Sequence, residues 1–398
     1  MPGYKYVKDE DISGKTVAVR VDLNSNVEDN ELFVGARIIA HAKTLGELAA
    51  KGAKVVALAH QGQKGKPDFV SLKQHAEEIS ERIGKEVKLL KWDTDYASEI
   101  KAMQPGDIIL MENVRFNGDE EKDFTPEDAS KAEWVQKIAS VSDLFVQDAF
   151  SVCHRPQPNV LGLPFLLPGF VGPVLEKELN ALKKVDSDEK PAVFVIGGAK
   201  VSDSIALIQS LLEKQKADTI CVGGLMGELF LKAKGVQLGL KDKFFEEKGL
   251  NQFVEQARQI LSQHGEEIVV PSDVAIMNDY DEREEVMASE LPKDNQINDI
   301  GMETVAEFKD VLKKAKLIVM NGPMGVFEEM DFELGTKKLF GIISKSRAFS
   351  LVCGGDTEAA LRATDFGPEQ FSHVSLAGKA LLLYLLGKEL PGLAVLQK

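Results

Sequence analysis

Thr16-Val17-Ala18-Val19-Arg20-Val21-Asp22-Leu23 reads as a strand, mostly apolar, whose end carries the carboxylate of Asp22 and leads to the amide of Asn24. A short apolar run with little alternation fits a strand buried on both faces, as inside a parallel sheet. The same grammar recurs. Lys54–Ala59 runs into His60-Gln61-Gly62, and Asp107–Met111 into Glu112-Asn113-Val114-Arg115-Phe116. Asp143–Val146 leads to Asp148-Ala149-Phe150 and then His154-Arg155, and Val87–Leu90 is a further strand. Helical patterns at Ala36–Lys51 and Ser71–Ile83 lie between them.

The second half repeats the alternation. Strands are expected at Ala192–Ile196, Thr219–Val222, Glu267–Val270, Lys316–Met320 and Phe349–Cys353. Helical patterns at Val201–Lys214, Leu250–Gln263 and Met302–Ala315 separate them. Two such series predict an α/β protein with two doubly wound, mostly parallel-sheet, Rossmann-like domains and a cleft between them. The Gly/Pro-rich Leu161–Pro173 reads as the seam, followed by a hinge helix at Val174–Val185. The expected domains are residues 1–170, with 380–398 packing back onto them, and residues 171–379.

Composition bounds the partners. The chain has 398 residues, 44% of them hydrophobic, and a net charge of −15, which argues against nucleic acid and anionic lipid. An acidic protein that binds an anionic metabolite must gather its basic residues locally. Cys153, Cys221 and Cys353 show no paired spacing and sit in or beside apolar runs, as expected of buried thiols in a reducing cytoplasm. The first residues show no basic-then-apolar leader pattern, and the apolar Asn159–Leu175 is interrupted by prolines and glycines, which disfavours a membrane span. His41, His75, His264 and His373 read as solvated or helix-face histidines.

In open parallel sheets ligands bind beyond the carboxyl ends of the strands. Parallel pairing would gather Arg37, Arg115, Arg155 and His60 on one rim of the first domain. Guanidinium forks suit phosphate and carboxylate oxygens, and Asp22 and Asn24 suit a ligand hydroxyl. The strand ends of the second half differ: Gly197-Gly198-Ala199-Lys200, Gly223-Gly224, Asn321-Gly322-Pro323 and Gly354-Gly355-Asp356-Thr357. Paired glycines let backbone N–H groups approach an anion, Lys200 supplies a point charge, and Asp356 suits a phosphate-bound Mg²⁺ or a plain helix cap. No GxxxxGK[ST] sequence is present and no GxGxxG follows a strand, which disfavours P-loop enzymes and dehydrogenases.

RVDLN at Arg20–Asn24, HQG at His60–Gly62, ENVRF at Glu112–Phe116, DAF at Asp148–Phe150 with HR at His154–Arg155, GGAKVSD at Gly197–Asp203, NGPMGVFE at Asn321–Glu328 and GGDT at Gly354–Thr357 together resemble the phosphoglycerate kinases along nearly the whole chain. The HQG form and the length resemble the archaeal branch. The resemblance implies reversible transfer between 1,3-bisphosphoglycerate with ADP and 3-phosphoglycerate with ATP, in glycolysis and gluconeogenesis. It implies that Asp22, Asn24, Arg37, His60, Arg115 and Arg155 hold the glycerate. It assigns Arg37, Lys200 and Gly355 to the transferred group. Gly197, Gly198, Lys200, Gly223, Gly224, Asn321, Pro323, Glu328, Gly354, Gly355, Asp356 and Thr357 would hold the nucleotide, with Glu328 at the ribose and Asp356 on Mg²⁺. A monomer is implied, with a dimer as the other possibility. The chain departs from the family pattern at Ser25-Asn26, Gln63, Ser204 and Ser375-Leu376-Ala377-Gly378-Lys379. These departures open a second reading, a nucleotide-binding pseudo-enzyme with weak or no transfer.

Overall fold

Val17, Ala18 and Val19 are fully buried because β1 (Thr16–Arg20) has a parallel partner on either side. The computed structural model describes residues 3–397, except the side chains at 121, 357 and 358. Contacts divide the chain into two compact units. One runs to Asn180 and includes the segment from Lys379; the other is Ala181–Gly378.

In the first unit β1 is joined by β2 (Lys54–Leu58), β3 (Val87–Leu90), β4 (Ile108–Met111), β5 (Leu144–Gln147) and β6 (Gly169–Val171), in the order β3-β4-β2-β1-β5-β6. Every pairing is parallel. Register decides where function can sit: Arg20 lies opposite Leu58 on one side and Gln147 on the other. The residues after these three strands therefore emerge at one edge, where the strand order reverses about β1. Helices α1 (Ala36–Ala50) and α2 (Lys73–Ile83) bury Ile38, Leu45, Leu48 and Ile79 in the core of this unit.

The second unit has β7 (Ala192–Ile196), β8 (Thr219–Val222), β9 (Ile268–Val269), β13 (Leu317–Asn321), β14 (Phe349–Cys353) and β15 (His373–Val374), again all parallel, in the order β9-β8-β7-β13-β14-β15. Asn321 pairs with both Ile196 and Cys353, so the glycine turns after β7, β13 and β14 also share an edge. A three-stranded antiparallel sheet of β10 (Asp273–Met277), β11 (Arg283–Met287) and β12 (Ile297–Ile300) completes the unit. Buried Asp273 ties it to the following helix, accepting from the Glu303 and Thr304 amides at 3.0 and 2.8 Å.

Three sequence expectations change. Leu161–Pro173 is no seam: Pro158–Leu166 is a buried helix of the first unit, and Gly169–Val171 an edge strand of its sheet. Gly162 lets that helix approach its neighbour, since a Cβ there would lie 2.7 Å from the Ala129 carbonyl oxygen. The division falls after Asn180, inside α3 (Pro173–Val185), and not at residue 170. His41 and His75 do lie on helices, α1 and α2, but are buried and partnered: His41 Nδ1 lies 3.1 Å from Asp148 and His75 Nε2 3.2 Å from Gln61. Residues 379–397 pack within the first unit, with the Gly392 amide donating to Cys153 at 2.8 Å and Val395 joining the Ala149–Val160 cluster. Among the described residues no helix is long and apolar enough to cross a membrane.

Asp148 is the knot of the first unit. It is fully buried and accepts from Thr44 Oγ1 at 2.7 Å and from the Val174 and Leu175 amides at 2.7 and 3.2 Å, besides its contact with His41. Asp148→Ala strands buried donors on α1 and α3 and should cost ~3 kcal/mol, read as a lower urea unfolding midpoint. A midpoint unchanged from the parent would show that these bonds contribute nothing net.

Candidate active site

At the edge of the first sheet the chain leaves β1 and places Asp22 at the centre of a basic group. Arg37, in the first turn of α1, brings Nε to 3.3 Å from Asp22 Oδ2, and Ser151 Oγ donates to the same oxygen at 2.5 Å. Burial alone would raise the pKa of Asp22, but Arg37, with the Ser151 hydrogen bond, holds it below the usual carboxylate range. Asn24 is oriented by its neighbours: its amide donates to Asp22 at 3.0 Å, its carbonyl accepts from Arg37 at 3.2 Å, and its side-chain oxygen accepts from the Gly62 amide at 2.8 Å. Arg155, half-buried, has its pKa lowered by burial, an effect that Asp22 opposes and Arg37 reinforces. Arg115 reaches the Gly62 carbonyl.

Arg20 is the residue whose importance was not legible in the sequence. It is buried, contacts Asn159 and the Val21 carbonyl, and donates through Nη2 to His60 Nδ1 at 2.9 Å. Burial lowers its pKa to about 10, with Asp22 the main opposing charge. Its only advance signal was a charge inside an apolar strand. Glu120 stands behind it, bound to Asn159 and pushed by burial up to about 7.

His60 is buried, and that burial, reinforced by Arg20, lowers its pKa well below 6.5. Since Nδ1 faces a guanidinium donor, the ring is neutral and carries its proton on Nε2. Gln63, Lys64 and Lys66 are exposed. His154 is lowered by burial and then by Lys379, which stands exposed at the start of α7 (Lys379–Leu385). All three cysteines are buried, and burial raises the Cys153 and Cys221 thiols, so neither is an activated nucleophile.

In the second unit the glycine turns touch. A Cβ on Gly197 would collide with Pro323, Gly198 donates to the Pro323 carbonyl at 2.7 Å, and a Cβ on Gly224 would stand 3.3 Å from the Gly198 amide nitrogen. Gly198, Gly224 and Gly354 have positive φ, a conformation open to glycine at little cost. A Cβ on Gly223 would press on Met324. Lys200, exposed at the start of α4 (Val201–Glu213), has its Nζ 3.6 Å from where a Gly355 Cβ would stand. Gly198, Gly224, Pro323, Glu328 and Asp356 line a cavity of about 570 Å³. Gly197, Lys200, Gly223, Asn321, Gly354 and Gly355 are not among its lining residues, and the Thr357 side chain lies outside the described residues. Asp356 precedes α6 (Thr357–Ala363), yet its exposed side chain makes no capping hydrogen bond, which removes the plain-cap reading.

One strand edge lined by guanidinium groups and another by glycine turns and a lysine suit the two anionic ligands of a phosphotransferase. The phosphoglycerate kinase family model matches residues 7–388. The chain is 37% identical to the phosphoglycerate kinase of Methanothermobacter thermautotrophicus, over 99% of this chain and 97% of that one. It is 39% identical to that of Pyrococcus furiosus, over 98% and 97%. The crystal structure of phosphoglycerate kinase from Pyrococcus horikoshii OT3 superposes with a TM-score of 0.92 at 36% identity, covering 99% of this chain and 98% of that one. The chain belongs to the phosphoglycerate kinase family. Its activity is that family's phosphoryl transfer, and the pseudo-enzyme alternative finds no support in these relatives.

If His60 is held neutral as described, its ring nitrogens should show the Nε2–H tautomer by two-dimensional ¹⁵N–¹H spectroscopy throughout the pH range of folding. A His60 resonance titrating near 6.5 would contradict the Arg20 contact.

Proposed function

We propose that the first unit holds 3-phosphoglycerate or 1,3-bisphosphoglycerate and the second the nucleotide. The observation that carries this reading is the Asp22–Arg37 pair at the end of β1, with Arg155 electrostatically coupled to both. Guanidinium forks of Arg37, Arg115 and Arg155 meet phosphate and carboxylate oxygens; Asp22, Asn24 and the His60 Nε2–H address the glycerate hydroxyl and carboxyl. Gly197, Gly198, Gly223, Gly224 and Gly354 let the backbone approach the nucleotide, with Asn321, Pro323 and Thr357 beside it and Glu328 at the ribose.

The acyl phosphate is a mixed anhydride and already activated, so no protein nucleophile is required. What the transition state needs is alignment and neutralisation of the equatorial oxygens. Arg37, Lys200 and the Gly355 amide supply that charge and those donors. Asp356 fits Mg²⁺, because an uncapped, exposed carboxylate beside phosphate oxygens is the donor set that this ion uses. When bound, Mg²⁺ would offset the charge that develops on the nucleotide phosphates. Transfer in line requires the two ligands to meet, so closure about α3 belongs to the proposed cycle, with water expelled to protect the acyl phosphate. The buried free thiols support a reducing cytoplasm, and a monomer is the proposed state.

A coupled assay with 3-phosphoglycerate, Mg²⁺ and ATP tests this. Arg37→Ala should lower kcat by ~10²–10³, the loss expected for one donor to the transition state. Asp356→Asn should instead raise the Mg²⁺ and nucleotide concentrations needed for half-maximal rate. An Arg37→Ala enzyme with unchanged kcat would confine Arg37 to orienting Asp22.

A further inference from the structure

The cavity of the second unit holds a charged pair that the reading above does not use. Glu228 lies one turn along α5 (Gly224–Ala233) from Gly224, and both line the cavity. Its side chain is 7% exposed, and that of Lys241, which also lines the cavity, 9%. Lys241 Nζ stands 3.4 Å from Glu228 Oε1 and 5.3 Å from the centre of the Phe244 ring, another lining residue. The second oxygen, Glu228 Oε2, is buried and has no hydrogen-bond partner.

A buried carboxylate oxygen with no donor is costly, because it has given up water and received nothing in return. Burial pushes the Glu228 carboxyl up to about 7 even with Lys241 beside it. Leu225, Val274, Ile300 and Met324 give the cavity apolar wall, which it shares with the polar Gln296, Asn298, Asp299 and Glu329. A cavity with apolar side chains in its wall, one unused buried acceptor and an ammonium beside it suits a flat heterocycle that carries N–H donors and a neighbouring acceptor.

We infer that Glu228 and Lys241 read the base of the nucleotide and favour guanine over adenine. This preference rests on the proposed nucleotide role of this unit. A carboxylate only accepts. Guanine offers it two adjacent donors, N1–H and the N2 amino group, and offers O6 to the Lys241 ammonium. Adenine offers one donor, the N6 amino group, next to an N1 acceptor that a carboxylate repels. The amide of glutamine has the reverse preference, since its oxygen accepts from N6 and its NH₂ donates to N1. Glu228→Gln keeps the volume of the side chain and reverses this pattern, while also removing the charge that faces Lys241; Lys241→Met removes the other half of the pair.

The test is calorimetric binding of the magnesium complexes of GDP, ADP and IDP to the full chain, with turnover of 3-phosphoglycerate by GTP and ATP measured in parallel. The unmodified protein should bind GDP more tightly than ADP. IDP, which lacks the N2 amino group, should bind about tenfold more weakly than GDP. Glu228→Gln should move the GDP-to-ADP affinity ratio toward ADP by about fivefold or more, and Lys241→Met should weaken GDP more than ADP. A smaller shift in Glu228→Gln, or tighter binding of ADP than of GDP by the unmodified protein, overturns the inference. Absence of turnover with either nucleotide would count against the kinase reading and leave the base preference to be judged from binding. Turnover with a base ratio indifferent to Glu228 would count against the pair alone.

Discussion

Parallel pairing without slippage is the constraint on which the rest of this molecule depends. Arg20 opposite Leu58 and Gln147, and Asn321 opposite Ile196 and Cys353, bring the ends of three strands level in each sheet. A shift of one residue would turn every side chain of a strand to the other face. All positions of β1 and β7 are buried, and in β1 a slip would turn Arg20 away from Asn159 and His60, leaving its charge inside without those partners. The core thus fixes the position of Asp22 and of Gly197 with the same forces that hold the sheets together.

Within this frame charge is arranged with economy. A chain of net charge −15 keeps one guanidinium, Arg20, entirely inside, and uses it to set the protonation of a neighbouring ring and not to meet solvent. Asp22 stays ionised because Arg37 and Ser151 outweigh the cost of burying it. Glu120, lacking an equally close cation, is driven the other way. The three groups show how the same burial yields opposite protonation preferences according to what stands within hydrogen-bond reach.

Most of the architecture was legible in the sequence because buried parallel strands announce themselves as short apolar runs. The ten strands expected lie within a few residues of those observed, and the abrupt polar ends at Asp22, His60 and Arg115 pointed to the edge that matters. The antiparallel sheet at 273–300 was not legible. Its outer strand Arg283–Met287 is mostly exposed and charged, so it lacks the apolar signature, and Arg283 is held by Asp299 at 2.9 Å, sixteen positions away. The Pro158–Leu166 helix was misread because Pro and Gly usually mark bends. Here Pro158 opens the helix and Gly162 permits a close approach that only tertiary context reveals. Nor could spacing show that Glu228 and Lys241 meet, or that Arg20 turns inward.

The return of residues 379–397 to the first unit has a consequence for biogenesis. Gly392 and Val395 sit beside Cys153 and Val160, Leu396 lies against Gly169, and Leu393 is buried with them, in positions that no earlier part of the chain occupies. On the ribosome, the half that is translated first must therefore wait, its hydrophobic wall open, until the other half has emerged. The order of synthesis and the order of completion are reversed.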